Sequence, residues 1–169
     1  MPLHPVLLLV LAQRLLELVY AAGNTRRLKA RGAVEVGAGH YPLMIALHGG
    51  WWLSLAATVP PDRPAHALPL AGFALLMVGR VWVLLSLGPY WTTRIVTLPG
   101  APLVRHGPYA WVRHPNYWIV AGEVALVPLA FDAIGVAVTF SILNGALLAW
   151  RIAVEDEVIT ARGSSAASG

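Results

Sequence analysis

The feature that most limits this chain is a series of apolar blocks about 17–21 residues long, the length needed to cross a hydrocarbon core about 30 Å thick. The first runs from about Leu3 to Ala22, the second from about Tyr41 to Val59 and the third from about Leu68 to Leu87. Each stops at residues that punctuate helices, Gly23-Asn24, Pro60-Pro61 and Gly88-Pro89, because proline lacks an N–H donor and glycine tolerates turns. A fourth block, Tyr117 to Trp150, would make a single helix roughly 50 Å long, well beyond a bilayer. It reads as a hairpin broken between Pro128 and Asp132. The expected fold is all-α: a polytopic integral membrane protein of about five transmembrane helices, the last two a short helical hairpin.

Composition agrees with this reading. Of 169 residues, 57% are hydrophobic and 12% charged, with a mean hydropathy of +0.65, against about 25% charged residues in an ordinary soluble domain. The length suits one membrane-embedded domain, residues 1–162, followed by a small polar tail, residues 163–169, with nothing to bury. The formal charge of +4 comes almost wholly from arginines lying between the blocks rather than on an aromatic-laced face, so nucleic-acid binding is set aside. The absence of cysteine excludes disulfides, thiolate catalysis and cysteine-ligated metals, and no metal is expected. Because the first block holds Arg14 and Glu17 and lacks a charged leader and a clear cleavage site, it reads as a retained span rather than a signal peptide.

Charge placement orients the chain. The loop after the first block (Arg26, Arg27, Lys29, Arg31), the loop after the third (Arg94, Arg105, Arg113) and the C-terminal arginines Arg151 and Arg162 fall on one side, whereas the other side offers mainly Arg63 beside Asp62. Since cytoplasmic loops carry the excess of Lys and Arg, this predicts a multi-pass protein of a bacterial inner membrane, N-terminus outside and C-terminus in the cytoplasm. The linker from Pro89 to Asn116 and the segment after Trp150 would then meet at the cytoplasmic face, where a soluble cofactor reaches both.

Two polar elements could carry chemistry there. Residues Leu103 to Tyr117 enter the hairpin through Pro115, which pushes His114 out of helical conformation and suits the first turn of a helix, so free N–H groups follow Arg113 and His114 and can hold an anion. On composition alone the segment reads first as a basic loop at lipid headgroups, with Tyr109, Trp111, Tyr117 and Trp118 as an aromatic belt. Arg151 and Glu155, spaced i, i+4, share one helical face, where a plain ion pair is the simplest arrangement; Asp156 and Glu157 point elsewhere, toward solvent.

Together these elements resemble the isoprenylcysteine carboxyl methyltransferase family, whose C-terminal half carries Gly-x-Tyr-x-x-x-Arg-His-Pro-x-Tyr and, after a helical hairpin, Arg-Ile-x-x-Glu-Glu. The first stands here as Gly107-Pro-Tyr109-Ala-Trp-Val-Arg113-His114-Pro115-Asn116-Tyr117 and the second as Arg151-Ile-Ala-Val-Glu155-Asp156-Glu157, with Asp156 in place of the family's second glutamate. The resemblance covers about residues 89–162. The N-terminal half, with Gln13-Arg14-Leu-Leu-Glu17, Asn24-Thr25 and Gly39-His40-Tyr41-Pro42, is more similar to a bacterial branch that O-methylates polyketide-derived alkylpyrones or alkylresorcinols. The resemblance implies an S-adenosylmethionine-dependent O-methyltransferase acting on a carboxylate, phenol or enol of a lipophilic small-molecule or prenylated acceptor, in contact with membrane lipids. It places the cofactor in a cytoplasmic loop, against a strand-like segment Ala101-Pro102-Leu103-Val104, Tyr109, the turn His114, Pro115, Asn116, Tyr117, and Glu155. A polar family position falls on Arg94, where eukaryotic members have glutamine, which is a departure from the pattern. The substrate-orienting, catalytic arginine corresponds to Arg151. Charge at Arg151 suits an in-line methyl transfer, which needs positioning and an electron-rich oxygen rather than a covalent nucleophile.

Other ionisable groups lie inside the blocks, where they are costly and carry separate hypotheses. Arg14 and Glu17 are spaced to pair or to line a lipid-substrate path; Arg80 can snorkel or pair; Glu123 can meet Arg80 or face the substrate. His40 and His48 flank the start of the second block in packing or substrate contact, and His106 and His114 are more readily structural than basic catalysts. No glycine-rich cofactor loop follows a strand pattern, which excludes a Rossmann methyltransferase. Two other readings remain: an NADPH-dependent sterol-reductase-like membrane enzyme and a non-enzymatic membrane subunit.

Overall fold

The computed structural model describes residues 3–101 and 103–167, with side chains described as far as residue 160. The fold is mostly helical: α1 (Leu3–Ala30), α2 (His40–Thr58), α3 (Ala67–Leu87), α4 (Pro115–Ala130) and α5 (Ile134–Ala167). One departure from an all-α chain is a small antiparallel ribbon, β1 (Val34–Glu35) against β2 (Val96–Thr97), with Val34 opposite Thr97 and Glu35 opposite Val96. Three of the helical segments, Leu3–Ala30, Ala67–Tyr90 and Ile134–Thr160, are long and apolar enough to cross a membrane.

Their outward faces carry exposed apolar side chains such as Leu16 (72% exposed) and Leu85 (77% exposed), which in water would form an unusually large apolar surface and in lipid are solvated. The inward faces follow helical spacing, as in Leu3, Val6, Leu7 and Val10 of α1, and close a core with Trp51 and Leu55 of α2, Phe73 of α3 and Val120, Val124 and Val127 of α4. The short α4 is the central helix, packed against α3 on one side and α5 on the other, while α5 also packs on α2. Closeness of α3 and α4 depends on missing side chains: a Cβ on Gly122 would come within 2.6 Å of Leu76.

The expected end of the first helix at Gly23-Asn24 is corrected: α1 continues to Ala30, so Arg26, Arg27 and Lys29 lie on the helix rather than in a loop. Asn24 is fully buried and donates through Nδ2 to the carbonyls of Gly88 (3.1 Å) and Trp91 (2.9 Å). It is a tie between α1 and the linker, not a stop. The helix ends instead at Gly32, whose φ of +91° accompanies bonds from Gly32 N–H to Lys29 O and Ala33 N–H to Leu28 O. These are the two bonds of a Schellman ending, for which glycine is the favoured residue. The hairpin break falls where expected. Asp132 (φ +58°) ends α4 with Ala133 N–H on Pro128 O. Its carboxylate accepts from Arg63 and from His66 (2.9 Å), tying this turn to the α2–α3 connection. At the far end α5 runs on through part of the expected tail to Ala167; residues 168 and 169 lie outside the described residues.

Candidate active site

The linker between α3 and α4 is held from below by α1 and from the side by the ribbon. Asn24 grips the linker at Gly88 and Trp91, while Glu35 on β1 accepts from Lys29 (2.7 Å) and pairs with Arg94. The hydrogen bond from Lys29 first, and that from Arg94 after it, hold the Glu35 carboxyl below its ordinary range. Arg94 also lies over the Tyr41 ring, 4.1 Å from its centroid, so one arginine joins the linker to α2. Further on, a 3-10 turn at Gly107–Ala110 brings Tyr109 inward. Its hydroxyl is pushed above its ordinary value, by burial first and by the Glu155 charge second, and remains a donor at neutral pH.

At the start of α4, Pro115 occupies the first turn and His114 precedes it in non-helical geometry, with φ −128° and ψ 61°. His114 stacks on Tyr117 (5.3 Å, 14° between planes), and its ring nitrogens face Asp156 (3.2 Å) and Glu155 (3.6 Å). Asp156 also accepts from Arg113 at 3.0 Å. The Tyr117 hydroxyl donates to Glu155 and accepts from Arg151 Nε at 2.7 Å. Arg151, 5% exposed, reaches Met44 Sδ on α2 with Nη1 at 2.8 Å. Arg151 and Glu155 thus share a face as expected, but the Tyr117 hydroxyl stands between them in place of a direct ion pair.

Two cavities meet at this point. The first, about 690 Å³, lies between the linker and the end of α5, and polar groups including Arg94, Tyr109, Arg113, His114, Asn116 and Glu155 share its wall with Ala101, Leu103 and Val104. The second, about 400 Å³, lies within the helices between α1 and α2 and is mostly apolar, with Val10, Leu11, Leu15, Ile45, Trp51 and Trp52 on its walls. Trp91, Thr92, Asn116, Tyr117 and Arg151 line both. Volumes of this size hold small ligands. Deeper in the helices, Arg80 donates to Glu123 (2.9 and 2.7 Å), Glu17 (3.2 Å) and Asn116 Oδ1 (3.3 Å), and Arg14 pairs with both Glu17 and Glu123. Two cations and two anions cancel where an isolated charge would be prohibitive.

Residues 67–161, more than half of the chain, match the model of the isoprenylcysteine carboxyl methyltransferase (ICMT) family. The chain belongs to that family. It is 39% identical over 155 residues, 89% of its length and 92% of the relative's, to "Uncharacterized protein YpbQ" of Bacillus subtilis (strain 168). No solved structure matches it. Membership of the isoprenylcysteine carboxyl methyltransferase family makes the protein a membrane methyltransferase.

Of the residues that the family motif singles out, Arg94, Ala101, Leu103, Val104, Tyr109, His114, Asn116, Tyr117, Arg151 and Glu155 all line the first cavity. Pro115 is buried behind them as the first residue of α4, and Pro102 lies outside the described residues. The strand-like character expected from Ala101 to Val104 is corrected at the described residues Ala101, Leu103 and Val104, which form no strand; strand pairing occurs earlier, at Val96–Thr97, where β1 supplies a partner. Tyr109 and Tyr117 turn inward, leaving Trp111 (85% exposed) and Trp118 (73% exposed) outward. Of the two places expected for Glu123, the structure gives the contact with Arg80: Arg14 and Arg80 are on the wall of the second cavity, and Glu123 pairs with both from one layer behind it. Asp156, expected in solvent, instead fastens the Arg113-His114 loop to α5, whereas Glu157 is exposed. Reasoning along one helix missed Asp156 because its partners lie 42 and 43 residues upstream. Trp91 was missed altogether; its position just past the Gly-Pro turn that ends α3 was the available signal.

Proposed function

We propose that the protein transfers a methyl group from S-adenosylmethionine to an oxygen of a lipophilic acceptor, with the reacting oxygen at the wall shared by the two cavities. The observation that carries this reading is the sharing itself: Arg151, Tyr117 and Asn116 face a polar chamber on one side and an apolar chamber on the other. The first chamber's residues suit the cofactor. Its carboxylate Glu155 and aromatic hydroxyls Tyr109 and Tyr117 fit the amino and ribose groups of a cationic nucleoside, and Arg113 and the start of α4 fit its carboxylate. When bound, S-adenosylmethionine supplies an electrophilic methyl group on a sulfonium. The second chamber fits an alkyl or prenyl chain, so the acceptor class is a carboxylate, phenol or enol on a lipophilic tail, reached through membrane lipids.

Arg151 is the catalytic residue in this reading. Anchored by Tyr117 and Met44, its guanidinium is preorganised to stabilise negative charge on the acceptor oxygen. The low exposure of Arg151 strengthens that interaction by excluding water. Five membrane-crossing helices, an external N-terminus and a cytoplasmic C-terminus in a bacterial inner membrane would open the first chamber to cytosol and the second to lipid. We test the reading by adding radiolabelled S-adenosylmethionine and lipid extract of the host to purified protein. Label should partition into the lipid fraction, and calorimetry should detect S-adenosylmethionine binding. Binding of NADPH with no binding of S-adenosylmethionine would overturn it.

A further inference from the structure

We infer that the carboxamide of Asn116 donates a hydrogen bond to the reacting oxygen of the acceptor, beside Arg151, and that Arg80 is the positioning residue that turns it to do so. The inference rests on the methyl-transfer reading and adds to it a donor and the residue behind that donor. Five residues line both chambers: Trp91, Thr92, Asn116, Tyr117 and Arg151. Three of them have no donor to offer there. The Thr92 hydroxyl donates to Arg94 O at 2.6 Å, the Tyr117 hydroxyl donates to Glu155, and the Trp91 indole N–H is sealed away from accessible space. Arg151 engages Tyr117 with Nε and Met44 with Nη1, which leaves Nη2. Asn116 engages Arg80 with Oδ1, which leaves Nδ2. Among the described residues no protein group accepts from either nitrogen.

The orientation of the Asn116 amide follows from its neighbour. A carboxamide has an accepting and a donating end, and a guanidinium only donates, so Oδ1 faces Arg80 Nη1 at 3.3 Å and Nδ2 faces away from it. Arg80 is buried and held in place by Glu123 and Glu17, so the amide has a fixed point to turn on. Arg80 lines the apolar chamber and not the polar one. An amide in contact with its guanidinium therefore stands at the apolar chamber, while Asn116 also reaches the polar one. Donation to Oδ1 polarises the amide and strengthens the N–H groups it offers. The buried charge cluster thus does more than neutralise itself, because it aims a neutral donor at the shared wall. Two donors from two helices, Asn116 on α4 and Arg151 on α5, hold an oxygen by some of its lone pairs and leave another free to react. Their contribution is to keep the oxygen ionised and aimed, which is where positioning supplies rate in a displacement.

The test uses full-length protein in detergent micelles. Asn116→Leu keeps the size of the side chain and leaves Arg80 paired with Glu123 and Glu17. With saturating radiolabelled S-adenosylmethionine and host lipid extract, this variant should label lipid about 10²-fold more slowly than wild type, with S-adenosylmethionine affinity unchanged by calorimetry. Without cofactor it should hold radiolabelled dodecanoate about tenfold more weakly than wild type and dodecane equally well, which separates loss of the donor from loss of the fold. Arg80→Lys keeps a cation for both carboxylates and gives up the rigid guanidinium fork. It should slow wild type and add no further loss in the Asn116→Leu background. An undiminished rate in Asn116→Leu, or a loss explained by weaker S-adenosylmethionine binding alone, overturns the assignment of Asn116, and additive losses overturn that of Arg80. Dodecanoate binding that depends on Asn116 in a protein that binds no S-adenosylmethionine would retain the donor and remove the methyl-transfer reading.

Discussion

The two cavities differ in how the chain builds them. The polar chamber is made by a linker and the helix ends on either side of it, and most of its chemistry comes from residues 94–117 and 151–155. The apolar chamber draws on all five helices, most of its wall coming from α1 and α2, with Arg80 from α3, Val120 from α4 and Leu148 from α5. The first is thus a local device that can be loosened without melting the protein, whereas the second is part of the helix packing. What joins them is the small set of side chains around Tyr117 and Arg151.

The comparison is broken most severely from the buried side. Glu123→Ala leaves Arg14 and Arg80 sharing the single carboxylate of Glu17, one cation in excess, and removing one partner of a buried pair costs about 3–5 kcal/mol. Thermal unfolding in detergent should show this loss, with both chambers failing together. Next in size is Arg151→Ala, which removes the charge at the shared wall and should lower methyl transfer about 10²- to 10³-fold. Rates at saturating substrates, with S-adenosylmethionine affinity followed separately, check that the loss lies in the chemical step.

A smaller change sharpens the contrast. Asp156→Asn weakens the ties from Arg113 and His114 that close the polar chamber, and because these are part-exposed we expect only about tenfold weaker S-adenosylmethionine binding. Occupancy of the apolar chamber by an alkyl probe should be unaffected. The smallest effect belongs to a site lining neither chamber. Hydrogen bonds from Arg63, and then His66, hold the Asp132 carboxyl below its ordinary range, so its contribution to stability is complete above the unfolded carboxylate value. That contribution is lost as pH falls through the lower folded value. Wild type should lose melting temperature on acidification more steeply than Asp132→Asn, with cofactor affinity at neutral pH the same in both.

The same contrast explains what could be read in the sequence. The helical character of the apolar blocks, the hairpin break at Asp132 and the Arg113–Tyr117 and Arg151–Glu155 elements follow from local pattern, and the polar chamber follows from them. The pairing of Arg80 with Glu17 and Glu123 joins residues 63 and 43 apart, and no local rule chooses among possible partners at such separation. The end of α1 was misread for another reason. Both Gly23 and Gly32 are stop signals, but Asn24 finds its partners in the linker, and this tertiary contact keeps the helix intact past the first of them. Asp156 lies within a recognised motif, yet its contacts with Arg113 and His114 are visible only once α4 and α5 are side by side.

The central claim is that the shared wall is where a water-soluble donor meets a lipid acceptor. Its most direct test is transfer of a radiolabelled methyl group from S-adenosylmethionine to host lipid extract by wild type and Arg151→Ala, with cofactor binding measured on both. The account predicts label in the lipid fraction for wild type and its near-complete loss in the variant, while both proteins bind S-adenosylmethionine. Label confined to water-soluble molecules, or undiminished lipid labelling by Arg151→Ala, would contradict it.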